Sequence, residues 1–346
     1  MVSNTQSSYR PESERYFCLA LDPIHVGTGG YRLGRVDMSI VREPGTNLPK
    51  IPGTSLAGTC RAYAAMQTEG KFPRCAGQGQ EQSAQGAASS KGHCGKPDCP
   101  ICITFGSVGQ ERSFQGLAQL FDARIVLFPA HSLAGPVWVT CPDALRDWGI
   151  QQDEPSDNGV RVAKGVRHNG RLNIGWLMLP VAEGCFSLDN QLSEIPGEIR
   201  NRAVLISSSL FSEVVNANLE VRTSVSIDPA TGAAAEGALF TYEALPRCTV
   251  LAFEAVFNDP KFYCIGGKRP FTADECGKSN SSPDQIQDGT QRVKETVEKG
   301  LVLLEVLGVG GMNTRGMGRL RVLNLTARSA PAGDSQTQSR PLEAKR

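Results

Sequence analysis

Cys99 and Cys102 stand two residues apart in a Cys-Pro-Ile-Cys turn, with Cys94 just before them and Cys75 ahead of a long polar stretch. Four thiolates complete the tetrahedral shell of a structural Zn²⁺, and a CxxC turn suits two of the ligands. His93 competes with Cys94 or Cys75 for a place, because imidazole nitrogen is also a zinc ligand. A redox role for the pair is weaker, since no thioredoxin-like pattern surrounds it. Unligated packing cysteines are the plain alternative. Cys18, Cys60, Cys141, Cys185, Cys248, Cys264 and Cys276 are scattered and read as packing residues or free thiols. Eleven cysteines without a signal-peptide pattern favour reduced or metal-bound thiols over a disulfide framework, and an odd number cannot pair completely within one chain.

A second group of reactive types lies between residues 25 and 61. It holds a Gly-rich turn, the loop carboxylate of Asp37, Arg42 and Arg61, and a Pro-Gly-Thr-Ser start to a helix. The first backbone N–H groups of a helix lack internal partners and face the positive end of its dipole, so Thr54 and Ser55 mark a ready phosphate site. The same residues could simply start the helix, with Thr54 as its N-cap. A third group is the loop Gly308 to Arg319, in which Gly310, Gly311, Arg315 and Arg319 suit an RNA phosphate. Glycine allows close approach and arginine binds phosphate bidentately, although a Gly-rich helix-to-strand turn needs no ligand. Asp37, taken alone, reads as a solvated loop aspartate.

The elements that position these groups follow from periodicity. Residues 16–21 and 34–41 read as extended segments. Leu56, Cys60, Tyr63 and Ala64 share a helix face, as do Val293, Val297, Leu301 and Leu304. Strand signals occupy 117–128, 137–140, 249–257 and 319–325. Strand, helix, two strands, helix, strand is the order of an α+β, ferredoxin-like or RNA-recognition-motif core. That fold serves many activities and names none. Residues 1–14 and 326–346 are polar and read as flexible ends, and the polar stretch 76–93 reads as an insertion loop.

Composition is that of an ordinary globular chain: 40% hydrophobic and 21% charged, with a net charge of +1. Any nucleic-acid surface must therefore be local. No apolar run approaches the roughly 18 residues that span a bilayer, and the expectation is a cytoplasmic protein with no membrane partner.

The motifs carry a resemblance in chain order. His25-x-Gly-x-Gly, Gly-x-x-Asp37, Arg42-Glu43 and Leu-Pro-x-Ile-Pro-Gly-x-Ser-Leu-x-Gly followed by Arg61 resemble the opening of the RAMP superfamily, in particular subunits that polymerise along the guide RNA of type III CRISPR complexes. Residues 99–107, 128–142, 222–243 and 308–319 resemble its Cys-Pro-x-Cys turn before Phe-Gly, its next strand pair, its thumb hairpin and its C-terminal Gly-rich loop. Ala57 departs from the family's usual lysine, and the features mix more than one subtype.

The resemblance implies one RAMP domain over 15–325, a zinc-bearing insertion at about 71–106 and a thumb β-hairpin at about 215–248. It also implies target-RNA cleavage at Asp37 with Mg²⁺ and a structural zinc on Cys75, Cys94, Cys99 and Cys102. Arg42, Ser55, Arg61 and the 308–319 loop fall on its guide-binding pattern, and Thr54, Arg222 and His25 are further RNA-binding candidates. His25 could also move a proton, though a lone histidine after a strand is more often structural. The implied partners are guide CRISPR RNA, complementary target RNA, other effector subunits and further copies of the chain. A non-catalytic scaffold is the alternative.

Overall fold

The computed structural model describes residues 9–29, 36–77, 81–82, 88–89, 93–108, 113–155, 159–184, 186–235, 238–272, 275–276 and 289–325. In chain order the elements are β1 (Glu12–Ala20), β2 (Lys50–Ile51), α1 (Gly53–Met66), β3 (Glu81–Gln82), β4 (Ala88–Ser89), α2 (Pro100–Phe105), β5 (Ala118–Leu120), β6 (Ala123–Ala130) and β7 (Val137–Thr140). There follow α3 (Pro142–Arg146), β8 (Arg161–Val162), β9 (Arg171–Ile174), β10 (Leu177–Pro180), α4 (Gly197–Arg200), β11 (Ala203–Leu205) and α5 (Ser208–Ala217). The chain closes with β12 (Glu220–Ser224), β13 (Phe240–Ala244), β14 (Val250–Phe257), α6 (Gly289–Leu307) and β15 (Leu320–Val322). No helix among the described residues is long and apolar enough to cross a membrane.

The main sheet runs β15-β1-β14-β6-β7-β11-β8, with β2 beside β6 and β5 beside β14. Its first four strands are antiparallel throughout, and only β7 and β11 pair in parallel. Successive strand residues point to opposite faces, so β1 sends Tyr16, Cys18 and Ala20 into one core and Phe17 into another. The first core lies under α1 and α6, whose Leu56, Cys60, Val297 and Leu301 are buried. The second is covered by Phe186, Leu188, Ile195 and Ile199. Two covered faces explain why the central strands read as continuous apolar runs.

α1 and α6 cross closely because Gly300 has no side chain: a Cβ there would lie 2.3 Å from the Cys60 carbonyl oxygen. Gly300→Ala is expected to destabilise the protein by about 1–3 kcal/mol through overpacking, read from the midpoint of chemical denaturation. Unchanged stability would mean that the two helices part without cost.

Several sequence expectations shift. β1 begins at Glu12, inside the stretch expected to be flexible; residues 1–8 and 326–346 lie outside the described residues. Residues 36–41 form isolated bridges rather than a strand, because their neighbours lie across turns from Gly27 and β13. The rest of that expected segment, with most of 76–93, falls outside the described residues. The apolar run 117–128 is two strands, broken at Phe121 and Asp122. Thr54 is not an N-cap: α1 starts at Gly53, after Pro52, with no side-chain cap from that position. Cys264 and Cys276 form a disulfide, with Cα atoms 6.2 Å apart, within the reach of such a bond. A sequence separation of 12 hid that proximity.

Candidate metal knuckle and nucleic-acid face

The four predicted cysteines meet. Their sulfurs all lie within 4.8 Å of one another, with Cys94–Cys102 at 3.7 Å and both Cys99–Cys75 and Cys102–Cys75 at 3.9 Å. Thiolates about 2.3 Å from a tetrahedral Zn²⁺ stand about 3.8 Å apart, so the donor set fits that ion. Hydrogen bonding from Cys102 pulls the Cys94 thiol down strongly and Cys75 to about 6. Donating to its three neighbours pushes Cys102 up. Thiol ligands bind metal as thiolates, so loading the cluster releases their protons. His93 stands outside the cluster, its Nδ1 accepting from the Val108 N–H at 3.0 Å. Elemental analysis of the purified chain is expected to find about one zinc per chain, lost in Cys102→Ser. A fully folded wild type without stoichiometric metal would sink the assignment.

Arg61 anchors this knuckle to α1. It is buried, and its guanidinium donates to the carbonyls of Cys75 (2.8 Å) and Gly106 (2.8 Å) and faces the Cys102 sulfur at 4.0 Å. Burial lowers its pKa while the neighbouring sulfurs raise it. A side chain so engaged holds the cysteine knuckle to α1, a use that sequence order did not reveal.

The second centre forms where residues 23–27, 36–42, β13 and the 308–319 loop meet. Asp37 is exposed, and its Oδ2 accepts from the Thr241 N–H at 2.7 Å and from the Thr241 hydroxyl at 2.8 Å. The Asp37 N–H returns a bond to Thr241 Oγ1 at 3.1 Å. Those donors, the backbone N–H first, hold the Asp37 carboxyl below the usual carboxylate range. Asp37 is thus an ionised group clamped to β13 at Thr241, near the tip end of the β12–β13 ladder, whose strands pair from Glu220↔Ala244 at the root to Ser224↔Phe240.

Glu243 is the buried hub beside it. Arg42 meets it bidentately, Nη1–Oε1 at 2.6 Å and Nη2–Oε2 at 2.8 Å. The Ile40 N–H donates to the same Oε1 at 2.8 Å. Arg42 spends its remaining contacts on Asn216 and the Ile40 carbonyl, so the fold engages it internally. His25 is only 3% exposed and donates from Nδ1 to the Glu243 carbonyl at 2.6 Å. Its own carbonyl accepts from the Gly311 N–H at 2.8 Å. Gly310, at φ +85°, lies so close that a Cβ would approach the His25 carbonyl to 2.4 Å. His25 and this pair of glycines therefore fasten the C-terminal loop to the hairpin root.

Arg315 remains exposed and sits over the Phe240 ring at 5.4 Å, a cation–π contact that pre-orients a guanidinium. Arg319 pairs with Asp22, and its hydrogen bond holds that carboxyl low, with Arg247 and Arg222 adding to the effect. Arg222 itself meets Glu220 at 2.6 Å. The α1 N-terminus is already served by a carboxylate: Asp122 accepts from the Gly53 N–H at 2.8 Å and pairs with Lys50. Thr54 lines a cavity there with Asp122, Arg124, Asp147 and Glu254, in which Arg124 pairs with Asp147. Ser55 is half-buried beside it. Thr241, Glu243, Phe240 and Asp122 are the residues that local sequence gave no means of finding.

A large mixed sheet backed by two helices, with a four-cysteine knuckle and a projecting hairpin, defines an α+β protein built around one sheet. The chain belongs to the RAMP superfamily, whose family model matches residues 17–321. Its fold is similar to that of a chain in the Type III-B Cmr-beta bound to cognate target RNA, with 14% identity and a TM-score of 0.58 over 91% of this chain and 99% of that one. It is also similar to Cmr4, with 16% identity and a TM-score of 0.53 over 90% and 100%. Oligomeric Cmr4 from Pyrococcus furiosus matches with 16% identity and a TM-score of 0.52 over 92% and 100%. No curated protein matches the chain.

Proposed function

We propose that this chain is a guide-RNA-binding backbone subunit of a type III CRISPR effector complex and cuts complementary target RNA beside Asp37. The observation that carries the proposal is the ionised, exposed Asp37 fixed by Thr241 on β13 where the hairpin's paired strands near its tip, in a superfamily member whose structural neighbours include a complex bound to target RNA. The strand order β15-β1-β14-β6 with α1 and α6 on one face supports reading the core as ferredoxin-like. The hairpin serves as the thumb: Val225, Ile227 and Leu239 are exposed along it, and apolar side chains of this kind wedge between bases. Guide RNA, target RNA, other effector subunits and further copies of the chain are its partners in the cytoplasm.

Asp37 suits one ligand position of Mg²⁺, which commonly takes one or two carboxylates together with phosphate oxygens and water; such an ion would supply charge stabilisation at phosphorus. The chain's own contribution is positional. The thumb displaces a base, and the resulting kink brings a ribose 2′-OH into line with its own phosphorus, with geometry supplying much of the acceleration. Arg315 and the exposed edge of its loop hold the RNA backbone. Arg42, Arg61 and His25 act one step back, by fixing the elements that carry the site. The test is cleavage of labelled complementary RNA by the assembled complex, wild type against Asp37→Asn. A scaffold role is the second reading, favoured by the same clamp, since two hydrogen bonds to one oxygen also suit a purely structural carboxylate.

A further inference from the structure

Strands β9 and β10 form a small hairpin off the main sheet, joined by Gly175 and Trp176. Gly175, at φ +60°, takes the first central position of the turn, the place glycine holds in type II′ hairpins. The turn is tied down on three sides: the Gly175 N–H donates to the His131 carbonyl at 2.7 Å, its carbonyl accepts from Asn173 at 2.9 Å, and its α-carbon abuts Asn218. Yet Trp176, held on this fixed turn, is 86% exposed. Met178 on β10 and Leu133, whose N–H donates to Asn173 of β9, are exposed at the same hairpin, and a cluster of exposed apolar side chains marks a contact surface.

What surrounds it narrows the occupant. A cavity along the flank of the same hairpin runs from Asn173 and Met178, near the turn, to Arg171 at its far end, where Arg167 and His168 join it, and no carboxylate lines it. Neither arginine has an ion-pair partner among the described residues. Asn218, against which the turn packs, lies directly before β12, so the tryptophan stands at the root of the β12–β13 hairpin. An exposed aromatic at one end of a hairpin whose flank carries unpaired arginines suits single-stranded nucleic acid, with the ring stacking on a base and the guanidinium groups following the phosphates of the next nucleotides.

We propose that Trp176, with Arg167 and Arg171, forms a stacking subsite for an unpaired RNA base beside the hairpin root. The subsite rests on the RNA-binding function proposed above and adds to it a contact far in sequence from Asp37. The chain has three tryptophans, and Trp138 and Trp148 are half-buried, so quenching of indole emission reports on Trp176.

The test titrates the full chain with a uridine homopolymer of about 16 nucleotides. Wild type should show quenching on binding. Trp176→Ala should bind about tenfold more weakly with an unchanged melting temperature, while Trp176→Phe retains affinity. Arg167→Ala and Arg171→Ala should each lower the salt dependence of log K by about 0.7. Wild-type affinity in Trp176→Ala overturns the subsite and leaves the RNA-binding reading standing. Absence of any RNA binding by wild type overturns both. Unchanged RNA affinity with a lowered oligomeric mass would make the surface a protein interface, and the subsite would again fall.

Discussion

Asp37→Asn is expected to lower target cleavage by the assembled complex on the order of 100- to 1,000-fold, the scale set by removing one charge-stabilising group from a reacting centre. Asparagine keeps a carbonyl oxygen that the Thr241 N–H and hydroxyl can still meet, so β13 stays anchored. Guide and target binding should therefore match wild type. The product should carry a 2′,3′-cyclic phosphate, because the 2′-oxygen gives up its proton to water and bonds to phosphorus as the P–O5′ bond breaks, the departing 5′-oxygen taking a proton from water to end as a 5′-OH; a 3′-OH end would defeat this route. The pH profile has a definite sign. Asp37's folded pKa is lowered, so its ionised form, and whatever its clamp adds to stability, persists above the ordinary carboxylate range and is lost only as pH falls through the depressed value. Activity near neutral pH should therefore vary with the 2′-OH and not with Asp37. Undiminished cutting by Asp37→Asn would leave the chain a scaffold.

Glu243→Ala should destabilise the protein by about 3 kcal/mol, the scale for breaking a largely buried ion pair and stranding its partner. It removes both oxygens that Arg42 grips and the acceptor of the Ile40 N–H. Arg42→Met should cost a similar amount, and the double variant clearly less than the sum, because the two side chains act as a unit. Denaturant midpoints measure all three. RNA affinity discriminates further. If Arg42 served chiefly as a phosphate contact, Glu243→Ala would free it and binding would hold while stability fell. With Arg42 as an anchor, the hairpin root loosens and both decline together.

The parts most legible in the sequence were those whose signal is local. The Cys99/Cys102 turn announced its own geometry, and structure supplied the two partners already suspected in Cys75 and Cys94. Val293, Val297, Leu301 and Leu304 fell on one buried face because a helix repeats every 3.6 residues whatever its neighbours. The ion pairs were not legible. Arg42 and Glu243 lie 201 positions apart, and Asp37 and Thr241 lie 204 apart. A basic residue in a glycine-rich run looks the same before folding whether it will hold phosphate or a buried glutamate. The contacts of Arg61 were illegible for the same reason, since the Cys75 and Gly106 carbonyls it meets lie 14 and 45 positions further along the chain. Trp176 carried a faint local signal, a Gly-Trp pair between two short apolar runs, but only the folded turn shows the ring left outside.

The placement of β1 also bears on how the chain is made. This first strand lies between β14 and β15, so both of its hydrogen-bonding edges await segments translated at the far end. Roughly 230 residues must leave the ribosome before Val250 can pair with Leu19, which at 5–20 residues per second is roughly 10–50 s. Throughout that interval a nascent Tyr-Phe-Cys-Leu strand stays unpaired, open to association with other unfinished chains. Stalled or truncated products that stop short of β14 should therefore aggregate rather than accumulate as partly working subunits.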